Sequence, residues 1–278
     1  ATIDIHGGGL DLVFPHHENE IAQSECAHNT KYVRYWMHNG LLTMSSGQKM
    51  GKSLGNVINI RDALAEFPAE AIRLYYLQNH YRSPLPWGPD ALPKALGRLA
   101  RLYNAIEQAN QMSGTESPDV LIEALGADAR EAYTLGRNLL DTFYKSLDTD
   151  FNTAAGLAAV FEAARAINRF SNHKKAKKRG APIVQPALNA IKTIGEAIGL
   201  LSLSPDSFHE EVKTKSLKSM GIERNEIETL LEQRACARSA KDWARADEIR
   251  DTLISKRIEV MDRAEGITWR VSLAHDEA

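Results

Sequence analysis

Apolar residues recur every three or four positions from about residue 91 to residue 203, and this spacing constrains the fold more than any other feature of the chain. Two stretches show it, one with Leu96, Leu99, Leu102, Tyr103 and Ile106, the other with Leu157, Val160, Phe161, Ala164, Ile167 and Phe170. Such spacing places apolar side chains on one face of a helix. It predicts a bundle of about four helices. One helix is expected to begin at Asn152 or Thr153, and another at Pro186.

The first 89 residues mix strand and helix signals instead. Residues 3–5 alternate like a short strand that stops at the glycine run of residues 6–9. Pro15 suits the first turn of a helix that continues through residue 29. This part of the chain is therefore expected to contain both strand and helix.

Two more strands are predicted close by, at residues 32–38 and 41–44. The dipeptide Asn39-Gly40 between them is a strong hairpin-turn signal. Residues 82–89 contain three prolines and predict a break in regular structure. We place a domain boundary in that segment.

The last part of the chain has a third pattern. Residues 223–237 and 241–255 predict a helical hairpin, and two short strands are expected near residues 258–260 and 267–271. The predicted fold is mostly α. The predicted boundaries give four parts, at residues 1–45, 46–90, 91–204 and 205–278.

Charge and cysteine content exclude several classes of protein. The chain has 34 basic and 36 acidic residues, a net charge of −2, so RNA contacts must come from local patches. The two cysteines, Cys26 and Cys236, exclude a disulfide-rich secreted scaffold and fit a reducing, cytoplasmic location. No apolar run approaches the ~20 residues that span a membrane. Because no Met precedes the strand at residues 3–5, we expect the chain to be cut from a longer one.

The richest chemistry lies between Asp11 and Glu20. His16 and Glu20 are four residues apart, which puts them on one helix face with Cβ atoms ~5–6 Å apart. An imidazole and a carboxylate so placed can bind one metal ion, although two ligands do not complete a zinc site. His17 with Glu20 is a rival pair. A solvated helix N-terminus, where acidic residues are favoured, is the simpler alternative.

Lys49 and Lys52 lie in a polar segment with two glycines and a serine, and their ammonium groups suit a polyphosphate. The segment lacks the earlier glycine of a Walker A loop. An exposed, mobile loop with no ligand is the alternative.

Basic residues near the end of the bundle and in the C-terminal part are candidates for RNA contact. Lys174 and Lys175 open a run of five cations within six residues, which suits phosphate or a solvated loop. Arg250 and Arg270 accompany Trp269, whose ring suits stacking on an unpaired base or packing of the small unit. Trp243 has the same two alternatives.

Four motifs in one order carry a family resemblance. They are HGGGxDL at residues 6–12, FPHHENEIAQS at 14–24, YWMH at 35–38 and KMGKSLGN at 49–56. Together they resemble the cysteinyl-tRNA synthetase family, and KDWAxAD at 241–247 with GITW at 266–269 is similar to that family's C-terminal end. The resemblance covers essentially the whole chain and is weakest in the bundle.

The resemblance implies a class I aminoacyl-tRNA synthetase with a Rossmann-type α/β catalytic domain, a helical domain and an anticodon-reading C-terminal region. Such an enzyme is expected to be monomeric, to activate cysteine with ATP and Mg²⁺, and to transfer it to tRNA(Cys). It holds Zn²⁺ with two cysteines, a histidine and a glutamate, and His16 and Glu20 match the last two. Zinc prefers a thiolate to a hydroxyl, so it would select cysteine against serine.

The resemblance also assigns roles around the nucleotide. Lys49 and Lys52 match the signature loop usually written KMSKS, with Lys52 stabilising charge on the pyrophosphate leaving group. Gly51 replaces the usual serine. The stretch that would lie against adenosine contains Gly8, Gly9 and Asp11. The residues that would lie near the substrate pocket are His6 and Trp36.

Some parts of the family pattern do not occur in these residues. Neither Cys26 nor Cys236 matches a zinc cysteine, and the HIGH-type ATP signature is not found. We therefore expect the chain to be the C-terminal portion of the synthetase, with the N-terminal half of the catalytic domain as its partner. Alone, it is expected neither to form adenylate nor to hold zinc tightly.

Three alternatives compete with a synthetase. The first is a non-catalytic RNA-binding module derived from the same family. The second is the related ligase that joins cysteine to an amino-sugar inositol, which lacks the long anticodon-reading tail. The third is a zinc hydrolase, but neither His16 nor His17 has a histidine four residues on, as the HExxH arrangement requires.

Overall fold

The computed structural model describes residues 2–44, 59–263 and 266–273. The chain forms two compact units, each built from segments distant in sequence. Unit 1 comprises the described parts of residues 1–57, 75–91 and 141–160, and unit 2 those of residues 58–74, 92–140 and 161–278. The sequential boundaries placed at residues 45, 90 and 204 remain predictions.

Helices dominate the described part of the chain, which confirms the mostly α prediction. The helices are α1 Glu18–His28, α2 Ile60–Glu66, α3 Ala69–Leu77, α4 Ala91–Asn110, α5 Pro118–Leu125, α6 Ala127–Asp148, α7 Thr153–Ser171, α8 Ala176–Arg179, α9 Ala181–Ile198, α10 Pro205–Met220, α11 Arg224–Ser239 and α12 Trp243–Ser255. The strands are β1 Ile3–Gly9, β2 Val33–Asn39, β3 Leu42–Met44, β4 Leu85–Trp87, β5 Ile258–Arg263 and β6 Gly266–Val271. None of these helices is long and apolar enough to cross a membrane.

In unit 1, β1 and β2 pair in parallel, with Ile5 opposite Tyr35 and Gly9 opposite Asn39. The strand predicted to stop at the glycine run therefore continues through it. The predicted helix begins at Glu18 rather than at Pro15. The preceding segment, Val13–His17, is kinked, because the Phe14 backbone is extended, with φ of −134° and ψ of 135°.

The predicted hairpin across Asn39-Gly40 is wrong, because β3 pairs in parallel with β4. The Gly40 amide donates to the Tyr81 carbonyl at 2.7 Å. A Cβ at Gly40 would collide with the Ser83 backbone, so a glycine is required by close approach and not by a turn. The proline-rich segment is thus not wholly irregular, since it contributes β4.

Unit 2 contains most of the predicted bundle. Four of its helices, α4, α6, α7 and α9, have 18 to 22 residues, as the prediction of about four helices requires, and the short helices α5 and α8 were not predicted. α7 begins at Thr153, and the Asn152 side chain accepts a hydrogen bond from the Ala155 amide at 3.0 Å, as the capping prediction requires. No helix begins at Pro186, which lies inside α9. Apolar residues on both sides of Pro186 are buried, so core packing outweighs the hydrogen bond that the proline cannot donate.

The C-terminal predictions are confirmed in type and order. α11 and α12 form a helical hairpin, and β5 pairs antiparallel with β6. Their shared core includes Ile227, Ile249, Leu253, Ile258 and Trp269.

A buried carboxylate joins three segments of unit 2. Glu70 on α3 is 9% exposed and accepts hydrogen bonds from the Tyr103 hydroxyl at 2.7 Å and the Leu201 amide at 3.0 Å. It also accepts from the Ser202 amide at 2.8 Å and the Ser202 hydroxyl at 2.6 Å. Burial and the bond to Glu70 raise the pKa of Tyr103. Glu70 therefore satisfies four donors, three of which belong to the segment after α9.

Replacing Glu70 by Ala should destabilise the protein by about 3 kcal/mol, because buried donors lose their acceptor. The measurement is urea unfolding of the chain, followed by circular dichroism. Glu66→Ala is the matched control, since Glu66 lies four residues earlier, at the end of α2, and is exposed, and it should change stability by less than about 0.5 kcal/mol. Equal shifts for the two variants would show that the hydrogen bonds to Glu70 contribute little.

Candidate functional site

The site in unit 1 is built where β1 passes the first turn of α1. His6 on the strand faces Glu20 on the helix, and His6 Nε2 lies 2.7 Å from Glu20 Oε2. His16 Nε2 lies 3.2 Å from Glu20 Oε1. One carboxylate thus contacts two imidazoles with its two oxygens. The hydrogen bond from His6 holds the pKa of Glu20 below its usual value. We call His6, His16, His17 and Glu20 the His–Glu cluster.

His17 is the buried member of the cluster, at 4% exposure. Its Nδ1 lies 2.8 Å from His38 Nε2, and its ring packs 4.8 Å from the Trp36 ring, centroid to centroid. Burial, with a smaller contribution from His38, lowers the pKa of His17. The imidazole is therefore held neutral, which is the form that binds metals.

Glycine makes room for this ring. A Cβ at Gly8 would lie 2.8 Å from Cε1 of His17, and a Cβ at Gly9 would collide with the Asp11 carboxylate. The glycine run therefore has a packing reason within the site itself. Asp11 is exposed in the short turn that follows β1.

The donor set fits a zinc ion. His6, His17 and Glu20 each offer a ligand atom, and these atoms lie within 4.8 Å of one another. Neutral imidazoles and a carboxylate are ordinary zinc ligands, with metal–ligand distances of ~2.0–2.2 Å. His16 and Glu20, the pair predicted from spacing, also lie together. The two cysteines are exposed and free, and neither belongs to this group.

Sequence reasoning missed the contact between His6 and Glu20. It placed His6 in the substrate pocket and considered His17 only as a rival to His16. Helical spacing identifies partners on α1, but a strand residue enters through tertiary packing that spacing does not encode. Trp36 lies beside His6, at 4.9 Å between ring centroids, so the two residues predicted for the substrate pocket are neighbours, and their role there stays a prediction.

Three family models match the chain in order. Residues 1–97 match the class I (C) tRNA synthetase catalytic domain, 142–202 the DALR domain, and 224–270 the cysteinyl-tRNA ligase anticodon binding domain. The cysteine–tRNA ligase of Geobacter sulfurreducens is 41% identical over 273 residues, which are 97% of this chain and 54% of that protein. The chain belongs to the cysteine–tRNA ligase family.

Other relatives agree. The cysteine–tRNA ligase of Halorhodospira halophila is 43% identical over 270 residues, covering 97% of this chain and 52% of that protein. The chain thus spans about half the length of the curated relatives it matches. Its fold is similar to that of Agrobacterium radiobacter K84 agnB2 LeuRS in a ternary complex with tRNA and LeuAMS, with a TM-score of 0.52 and 20% identity. That match covers 73% of this chain and 28% of LeuRS.

Within this family member, the residues predicted to contact RNA have different surroundings. Trp269 is 7% exposed and packs in the C-terminal core, with Lys213 Nζ 4.8 Å from its ring centroid. This burial favours the packing alternative for Trp269, and its contact with RNA stays a prediction. The Arg270 guanidinium donates to Glu259 at 2.7 Å, so its charge is already paired.

The other RNA candidates remain accessible. Trp243 is 58% exposed at the start of α12, and Arg250 is exposed on the same helix. Lys174 and Lys175 are exposed just before α8. Lys49 and Lys52, the signature-loop lysines, lie outside the described residues.

Proposed function

We propose that this chain works as part of a cysteine–tRNA ligase, which activates cysteine with ATP and Mg²⁺ and transfers it to tRNA(Cys). The observation that carries the proposal is the contact of Glu20 with both His6 and His16 in a chain of this family. Imidazole and carboxylate are ordinary ligands of Zn²⁺, a borderline-soft cation that also binds a thiolate.

Zinc would be held in this chain by His16 and Glu20, and at that point it would bind the substrate sulfur as a thiolate. The positions of the two carboxylate oxygens of Glu20 support this assignment. Oε1 faces the exposed His16, whereas Oε2 is hydrogen-bonded to His6. His6 would thus orient the carboxylate, as residues that contact metal ligands commonly do.

The nucleotide would lie beside the same unit. Gly8 and Gly9 leave the β1 backbone close to the cluster, and the Asp11 carboxylate is exposed to accept from a ribose hydroxyl. Lys49 and Lys52 would bring positive charge to the phosphates. Reaction at the α-phosphate needs those lysines to stabilise the leaving pyrophosphate.

A further segment of protein is expected to cover unit 1. Parallel sheets are normally buried on both faces. In the described part of the chain the β1–β2 sheet has two strands, and Ile5 and Tyr35 on it are exposed, as is Phe14 after it. The relatives are about twice as long as this chain. We propose that the N-terminal half of the catalytic domain packs on this surface.

Recognition of tRNA would use the C-terminal unit and the exposed lysines. Trp243 offers a flat aromatic surface, Arg250 offers a cation on the same helix, and Lys174 and Lys175 offer cations near α8. Unpaired anticodon bases are commonly read by aromatic stacking, with cations nearby on phosphate.

The test compares two tryptophans. Trp243→Ala should weaken tRNA(Cys) binding about 5- to 150-fold, because one stacked base contributes ~1–3 kcal/mol. The same variant should leave thermal stability unchanged. Trp269→Ala should instead destabilise the fold by about 3–5 kcal/mol. Fluorescence titration with tRNA(Cys) and thermal melts provide both numbers.

A tRNA(Cys) with a replaced anticodon loop is the RNA control. It should bind wild type and Trp243→Ala equally. If wild type binds tRNA(Cys) no better than it binds an unrelated tRNA, the synthetase assignment loses its support. If the wild-type chain binds tRNA(Cys) but the complete protein neither binds zinc nor activates cysteine, a non-catalytic RNA-binding module is favoured.

A further inference from the structure

Unit 1 contains a cavity of about 500 Å³ that the function proposed above does not use. It lies among the ends of β2 and α3, the segment before β4, and the start of α7. Aromatic side chains form much of its wall, with amide groups between them. They include Tyr76, His80, Tyr81, Phe151, Asn39 and Asn79. Cavities of about 300–1,000 Å³ with apolar walls and a few polar groups are typical of small-molecule sites.

Hydrogen bonds to Asp150 connect two segments that contribute to the cavity wall. The Asp150 carboxylate accepts hydrogen bonds from the Tyr81 hydroxyl at 2.7 Å and from Arg82 Nε at 2.5 Å. The bond from Arg82, with that from Tyr81, lowers the pKa of Asp150 to about 2. The Tyr81 ring also stacks with the His80 ring at 5.1 Å between centroids. These contacts join the segment of Tyr81 to the turn that carries Phe151.

Two large rings remain uncovered at the cavity. Phe151 is 57% exposed and Tyr76 is 49% exposed, although both line it. Asp150 and Phe151 both have a left-handed backbone, with φ of 55° and 52°. That conformation is uncommon for a residue with a bulky side chain. The turn thus holds an apolar ring beside the cavity instead of in the core.

The lining indicates an uncharged, flat, hydrogen-bonding ligand. Apart from His80, the described side chains that line the cavity carry no ionisable acid or base of physiological pH, and the Arg82 charge is paired with Asp150. Asn39 and Asn79 supply amide groups of the kind that read base edges, although Asn79 already donates to the Tyr75 carbonyl at 3.0 Å. Aromatic rings stack on every base.

The cavity and the His–Glu cluster use opposite sides of one strand. Met37 and Asn39 line the cavity, whereas Trp36 and His38 pack their rings against His17. Alternate residues of a strand point to opposite faces. A group bound in the cavity is therefore close to the reaction site without occupying it.

We propose that this cavity binds one unpaired nucleobase from the single-stranded 3′ end of the tRNA. The inference rests on the proposed function, which requires that end of the tRNA to approach unit 1. The base stacks against Phe151 and Tyr76, and the amides contact its edge. Binding there fixes the RNA strand beside the site where the amino acid is transferred.

The experiment measures binding of the chain to intact tRNA(Cys) and to tRNA(Cys) lacking its single-stranded 3′ end. Phe151→Ala should weaken binding of the intact RNA about 5- to 150-fold, from a stacking contribution of ~1–3 kcal/mol. It should leave binding of the shortened RNA unchanged. Tyr144→Ala is the matched control, because Tyr144 is an exposed aromatic residue of unit 1 that does not line the cavity.

Tyr76→Ala provides a second variant, so that a folding defect in one does not decide the result. Equal losses for both RNAs, or no loss for either, would overturn the proposal. The trinucleotide CCA, titrated by NMR against wild type and Phe151→Ala, separates the two levels of inference. If intact tRNA fails to bind but CCA binds and is sensitive to Phe151, the cavity is a base site and the proposed function is wrong. If CCA binds equally to both proteins, the cavity inference fails.

Discussion

Glu20→Gln in the complete synthetase is expected to lower zinc affinity at least about 100-fold, the upper end of what losing a partner of a metal ligand costs. Glutamine keeps the size of the side chain but removes the negative charge. It also replaces one carboxylate oxygen by an NH₂ group, so only one of the two imidazoles, His6 or His16, still contacts an oxygen. Zinc content by mass spectrometry and cysteine-dependent pyrophosphate exchange should fall together. Selection against serine should also weaken, because a bound thiolate is what distinguishes the two amino acids.

The matched control is Glu18→Gln, which changes an exposed carboxylate in the first turn of the same helix. It should retain zinc and activity. Full zinc content in Glu20→Gln would contradict the assignment of this carboxylate as a ligand. A loss in both variants would point to a general effect of charge at the helix N-terminus.

Two histidine variants identify which imidazole completes the site. If His16 and Glu20 hold the ion, His16→Ala should lose zinc. If His6, His17 and Glu20 hold it, His16→Ala should retain zinc and His6→Ala should lose it. Because His17 packs in the protein, its replacement would also disturb the fold and is less informative. Zinc content, measured together with thermal stability for His16→Ala and His6→Ala, decides between the two sets of ligands.

The sequence predicts those features that depend on near neighbours. The cap at Asn152, the α11–α12 hairpin and the proximity of His16 to Glu20 are set by residues within one or two helical turns. Features that depend on distant residues were missed. Asn39-Gly40 looks like a hairpin turn, but Leu85–Trp87 pairs with the second strand instead. Competition between a local turn and a distant strand is not decided by the dipeptide.

The candidate site divides in the same way. His6 and Glu20 are 14 positions apart and meet only because β1 packs against α1. Trp269 and Trp243 have similar basic surroundings in sequence, yet one is buried and the other exposed. The difference arises because Trp269 lies on β6, whose apolar residues complete a core with the helical hairpin, whereas Trp243 stands at the exposed start of a helix. Burial, rather than residue type, decides which ring is free for RNA.

Lys52→Ala in the complete synthetase should reduce cysteinyl-adenylate formation about 100- to 1,000-fold, the cost of removing one group that stabilises developing charge in a transition state. The ammonium group is needed when negative charge accumulates on the leaving pyrophosphate, and no neutral side chain replaces it. Affinity for tRNA(Cys) should stay within about twofold, since a single phosphate contact contributes little to a large RNA interface. Pyrophosphate exchange and tRNA titration measure the two quantities separately.

Lys31→Ala is the control for charge alone, because Lys31 is an exposed lysine of unit 1 outside the signature motif. It should leave both quantities unchanged. Gly51→Ser restores the usual signature sequence next to Lys52 and tests the loop itself. If the lysine acts on the leaving group, Gly51→Ser should retain or raise the exchange rate of wild type but fail to rescue Lys52→Ala. Normal exchange in Lys52→Ala would show instead that this lysine has no part in forming the adenylate, since tRNA binding cannot substitute for a missing charge at the pyrophosphate.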